Sequence, residues 1–120
     1  MDMGTLCIQL RSGTMMNMDT NVAVKLARAA MDKGHKVKIF GYGEGITLIK
    51  DGQDPKRFPN VGKEIEKMAG EGLEVVVCST CCAARGIRQG EEIKGTKIGS
   101  ITNDFSRMAS EADRLVTIAR

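Results

Sequence analysis

Tryptophan is absent from this sequence, tyrosine occurs once and phenylalanine three times. Bases would have little to stack on, and a net charge of +3, dispersed along the chain, makes no basic stripe to hold a phosphate backbone. Direct nucleic-acid binding is therefore not expected. Long apolar runs are missing too. The longest, Val75-Val76-Val77-Cys78, has the length of a strand, so neither a membrane-spanning helix nor a membrane partner is expected. Met1-Asp2-Met3-Gly4 has no basic stretch leading into an apolar core, and a secretory signal is not expected either. With no such signal, and with 120 residues to build one core, the pattern excludes a disulfide-stapled secreted mini-protein. The reading is a cytoplasmic chain, residues 1–120 forming a single domain, whose four cysteines are reduced thiols.

Histidine and proline are scarce as well. Cys78, Cys81 and Cys82 fall within five residues, but His35 is the only histidine and no second cysteine pair follows, so a zinc or iron–sulfur site is weakly indicated. Cys78-Ser79-Thr80-Cys81 has the spacing of a redox dithiol. Both prolines, Pro55 and Pro59, precede it in a polar stretch, away from where a thioredoxin-like protein places its cis-proline. No metal and no organic cofactor are expected.

What is present is alternation. Strand-like runs at Thr5–Leu10, Lys36–Phe40, Glu74–Cys78, Lys97–Ile101 and Arg114–Ala119 are separated by segments of helical periodicity. Thr20 or Asn21 is expected to cap a first helix with Val22, Leu26, Ala29 and Ala30 inward, stopped at Gly34. Pro59-Asn60 opens a second with Val61, Ile65, Met68 and Ala69 inward. Ser79–Arg85 reads as a short third, ended by Gly86. Thr102 or Asn103 is expected to cap a last one with Phe105, Met108, Ala109 and Ala112 on one side. Ile46–Ile49 is ambiguous between strand and helical turn. The pattern specifies an α/β domain, a mostly parallel five-stranded sheet between two helical layers.

In such a sheet chemistry gathers beyond the carboxyl ends of the strands, where Cys78 sits. The following helix start favours a thiolate there, and Arg85 is a candidate source of further positive charge. Against this stands the ordinary habit of free cysteine, which packs as a small hydrophobe. That habit suits Cys7, mid-strand between Leu6 and Ile8, and one of the adjacent pair Cys81 and Cys82. Gly41-Tyr42-Gly43-Glu44-Gly45 lacks the G-x-G-x-x-G spacing of a dinucleotide site and reads as a flexible loop. Met15-Met16-Asn17-Met18 suits a subunit or partner contact. His35 suits a turn role beside Gly34, and Glu91-Glu92 a solvated loop.

The stretch Cys78, Ala83-Ala84, Arg85-Gly86, Ile87 resembles the DsrE/DsrF/TusD-like family of small sulfur-trafficking proteins, which carry an active cysteine at the end of a central strand. Ala29-Ala30 through Gly34-His35-Lys36-Val37, then Phe40 and Gly45-Ile46, and Glu111-Ala112-Asp113-Arg114-Leu115-Val116 extend the resemblance over nearly the whole chain. It implies a three-layer α/β/α sandwich, assembly as a homo-oligomer (trimer or hexamer), and a persulfide on Cys78 that takes sulfur from a donor protein and passes it to an acceptor protein. Cys81 and Cys82 are extra to the simplest family pattern and, with Arg85, are candidate auxiliary residues. Two other readings stay open: a non-catalytic oligomeric interaction module of the same fold, and a dithiol redox protein using Cys78 and Cys81.

Overall fold

The apolar runs form one sheet of five strands: β1 (Thr5–Leu10), β2 (Lys36–Gly41), β3 (Glu74–Cys78), β4 (Lys97–Gly99) and β5 (Arg114–Ile118). In the computed structural model, which describes residues 3–15 and 18–119, the order is β4-β3-β2-β1-β5 and every adjacent pair is parallel. β3 shows why its sequence does not alternate: Val75, Val76 and Val77 are all buried, because helices cover both faces of the strand.

The handedness of the crossovers sets the layers. α1 (Asp19–Asp32) and α2 (Val61–Gly70) carry the chain from β1 to β2 to β3 in one direction, so right-handed connections put both on the same face, where they pack on each other. The return from β4 to β5 runs the other way, through a π-helical turn (Ile101–Phe105) and α4 (Ser106–Glu111), and covers the opposite face. On that face the register sets Cys7 beside Lys38 and Lys38 beside Glu74. Lys38 Nζ lies 2.8 Å from Glu74 and 3.0 Å from Glu111, while Arg107 pairs with both carboxylates, and this network ties α4 to the sheet. Burial favours the neutral form of Glu74, yet hydrogen bonds from Arg107 and Lys38 hold its carboxyl below the usual range.

Three expectations are corrected. α1 starts at Asp19, with Thr20 and Asn21 buried inside the helix instead of capping it; the Thr20 hydroxyl donates to the carbonyls of Ser12 and Gly13. Its inner face is Ala23, Val24 and Ala27, while Val22, 53% exposed, Leu26 and Ala29 face outward. Small residues let the helix lie close to the sheet, and the larger Val22 and Leu26 turn away from it. β4 stops at Gly99, and Ser100 is the cap, its hydroxyl accepting the Asn103 N–H at 3.0 Å. Third, the Gly41–Gly45 stretch is no flexible loop, because a 3-10 helix spans Gly43–Ile49, with Ile46, Leu48 and Ile49 wholly buried. α2 matches its expectation: Asn60 caps it through the Lys63 N–H, and Val61, Ile65 and Met68 face the core.

Candidate functional site

β3 ends at Cys78, which pairs with Gly99 of β4 at the carboxyl end of the sheet. Cys78 is extended (φ −70°, ψ 121°) and α3 (Ser79–Ala84) begins at the next residue. A helix of six residues aligns few peptide dipoles, so its field adds little at Cys78. It does fix the phase of the other two thiols. Cys82, one residue further round the helix than Cys81, packs into the core, and burial pushes its thiol up to about 11. Cys81 is half-buried and faces the 3-10 helix, where its Sγ accepts the Gly43 N–H at 3.3 Å. Cys78 stands three residues before it, the spacing of neighbours on one side of a helix. Burial holds the Cys81 thiol above its ordinary value; the Gly43 N–H and the Arg85 charge act against this, and the neighbouring Cys78 adds to it.

The close seating of the 3-10 helix requires glycine. A Cβ on Gly45 would collide with the Leu10 carbonyl oxygen at the end of β1, and one on Gly41 would stand 2.7 Å from the Gly45 carbonyl oxygen. A salt bridge completes the seat: Arg85 reaches across from the end of α3 to Glu44 (Nε–Oε2 2.8 Å) and donates to the Cys81 carbonyl at 3.1 Å. Its charge is thus committed at the rim beside Cys81. Cys7, wholly buried on β1, has a thiol raised to about 11 by burial and stands apart from the cluster.

Sequence reasoning therefore placed Cys78 at its strand end and Arg85 at the helix end, but it missed Gly43 and Glu44 as neighbours of the thiols. The signal was available: the glycine run follows β2, which borders β3 in the sheet, so both carboxyl ends open on one rim. Cys78, Cys81 and Cys82 do not converge, and among the described residues no group of three or more His, Cys, Asp or Glu side chains is placed to hold a metal ion. His35 sits at the opposite, amino end of the sheet, its Nδ1 accepting the Gly4 N–H at 3.0 Å. Met15 and Met18 are exposed in the loop after β1; Met16 and Asn17 lie outside the described residues.

Residues 6–118 match the model of the DsrE/DsrF-like family. The chain belongs to that family. An uncharacterized protein of Methanopyrus kandleri is 32% identical over 94 residues, spanning 78% of this chain and 77% of its own length. A relative named sulfurtransferase TusD homolog, from Pseudomonas aeruginosa, is 29% identical and aligns over 78% of this chain and 82% of its own. The crystal structure of the YchN protein from Escherichia coli superposes with a TM-score of 0.89 at 22% identity, covering 97% of this chain and all of that one, and so shares the fold. DsrE-like membership thus links the chain at family level to proteins named for sulfur transfer, as the sequence resemblance implied. No helix among the described residues is long and apolar enough to cross a membrane.

Proposed function

We propose that this protein is a small cytoplasmic sulfur carrier that accepts sulfane sulfur as a persulfide on Cys78 and passes it to a partner thiol. The observation that carries the reading is the place of Cys78, at the carboxyl end of a central strand with a second thiol three residues on in the following helix, in a chain of the DsrE/DsrF-like family. The Cys78 thiolate attacks the outer sulfur of a donor persulfide, a new S–S bond forms, and the donor thiolate leaves. An acceptor thiolate then takes the same sulfur by the same exchange, so no electrons are gained or lost overall. Residues 1–120 act as one domain on this reading, and the outward apolar side chains of α1 and β5 suit a homo-oligomer, a trimer or hexamer. Polysulfide-treated protein is expected to gain about 32 Da, the mass of one persulfide sulfur, mapped to Cys78 by mass spectrometry. Wild-type protein whose added sulfur maps to another cysteine, with Cys78 left unmodified, would refute the assignment.

The Cys-x-x-Cys spacing of Cys78 and Cys81 at a strand-to-helix junction also favours a second reading, a dithiol redox protein. Its product is an intramolecular disulfide, which lowers the mass of the reduced chain by about 2 Da and adds no sulfur.

A further inference from the structure

Cys78 and Cys81 differ in access. Cys78 is 4% exposed, closed in at the end of β3, whereas Cys81 is half-buried on the rim between α3 and the 3-10 helix. Exchange at sulfur needs the attacking thiolate to approach along the S–S bond it breaks, so access controls which thiol a bulky donor meets. A small polysulfide anion can reach a nearly closed thiol far more readily than a persulfide carried on a peptide or protein. The rim thiol is also held in place: the Gly43 N–H points at Cys81 Sγ from 3.3 Å, and Arg85 binds both Glu44 on the 3-10 helix and the Cys81 carbonyl. Cys78 caps α3 and Cys81 lies three residues further on, the spacing of neighbours on one side of a helix, so sulfur passing between them has a short way to go.

On the reading that Cys78 stores sulfane sulfur, we infer that Cys81 is the thiol that meets peptide or protein partners and exchanges the sulfur with Cys78 behind it. In the first step the Cys81 thiolate attacks the outer sulfur of the donor persulfide. The donor S–S bond breaks, the donor thiolate leaves, and Cys81 carries the persulfide. In the second step the Cys78 thiolate attacks that outer sulfur. A Cys78 S–S bond forms, the Cys81 S–S bond breaks, and the Cys81 thiolate left behind takes the proton that Cys78 gave up. The transferred sulfur keeps its oxidation state throughout, so neither oxidant nor reductant is consumed. Delivery to an acceptor thiol runs the same steps in reverse. Cys82, packed in the core, takes no part.

The test compares wild type, Cys81→Ser and Cys78→Ser, each loaded with inorganic polysulfide and separately with glutathione persulfide, quenched with an alkylating reagent and mapped by mass spectrometry. Loading of Cys81→Ser from glutathione persulfide is expected to slow by about ten-fold more than its loading from inorganic polysulfide, because only the bulky donor depends on the rim thiol. Cys78→Ser is expected to carry the added sulfur on Cys81. The relay is overturned if Cys81→Ser loads from both donors at the wild-type rate, or slows equally with both. It is also overturned if Cys78→Ser holds no sulfur on Cys81, or if loaded wild type releases hydrosulfide and accumulates a Cys78–Cys81 disulfide. Wild type that gains sulfur from neither donor would overturn the carrier reading itself, and with it the relay.

Discussion

Four thiols of one chain occupy four different surroundings, and each has its own expected chemistry. Cys7 and Cys82 lie in the core with thiols raised to about 11, so at neutral pH they are protonated and shielded. Cys81 is the accessible one, but burial raises its thiol as well. Only thiolate alkylates, so the rate at Cys81 should rise with pH and reach half its maximum above the ordinary cysteine value of about 8.5. Site-resolved alkylation of the native protein checks this: Cys81 should modify before Cys7 and Cys82 at every pH, and a half-maximum below pH 8 would contradict the assigned surroundings. The sequence made Cys78 legible because an apolar run ends on it. It could not separate Cys81 from Cys82, since that depends on the helical phase, and the phase is set by the packing of α3 against neighbours distant in the chain.

Among the elements, the 3-10 helix is the one whose role depends most on a missing side chain. Gly45→Ala forces a Cβ into the Leu10 carbonyl oxygen, a backbone atom that cannot rotate away. A loss of about 1–3 kcal/mol is expected from overpacking, measurable by denaturant unfolding. Gly70→Ala, at the end of α2, meets nothing within 4 Å and should be neutral or slightly stabilising. Equal effects of the two substitutions would show that the seat of the 3-10 helix is not as tight as described. Local periodicity read α2 correctly because its large apolar residues and its buried face coincide. In α1 they do not: Ala23 and Ala27 are wholly buried while Val22 and Leu26 face outward, so hydrophobic size pointed to the wrong side. Tyr42 to Ile49 defeated the periodicity argument for a different reason, since a 3-10 helix follows neither the strand nor the α-helix period.

For the whole molecule, strand alternation was enough to give the parallel sheet and its two covering layers, because right-handed crossovers leave few ways to connect them. It could not show which surfaces stay uncovered. Val22 and Leu26 lie one turn apart on the outer side of α1, and Leu115 on the edge strand β5 is 49% exposed. If these faces meet copies of the chain, Val22→Glu combined with Leu26→Glu should shift a trimer or hexamer toward the 13.0 kDa monomer in sedimentation equilibrium. A parent chain that already sediments as a monomer would refute the assembly.

The pairing of β1 with β5 joins Leu6 to Arg114 and Leu10 to Ile118, the first strand to the last. On a ribosome, every residue of the thiol rim has been made before β5 exists. Until the final strand emerges, the outer edge of β1 stays bare, offering the unsatisfied backbone of a largely apolar segment to any neighbouring nascent chain. Completion of the sheet therefore waits on the synthesis of β5, and a ribosome that stalls between α4 and β5 would release a chain with its thiol rim encoded and its most sticky edge open.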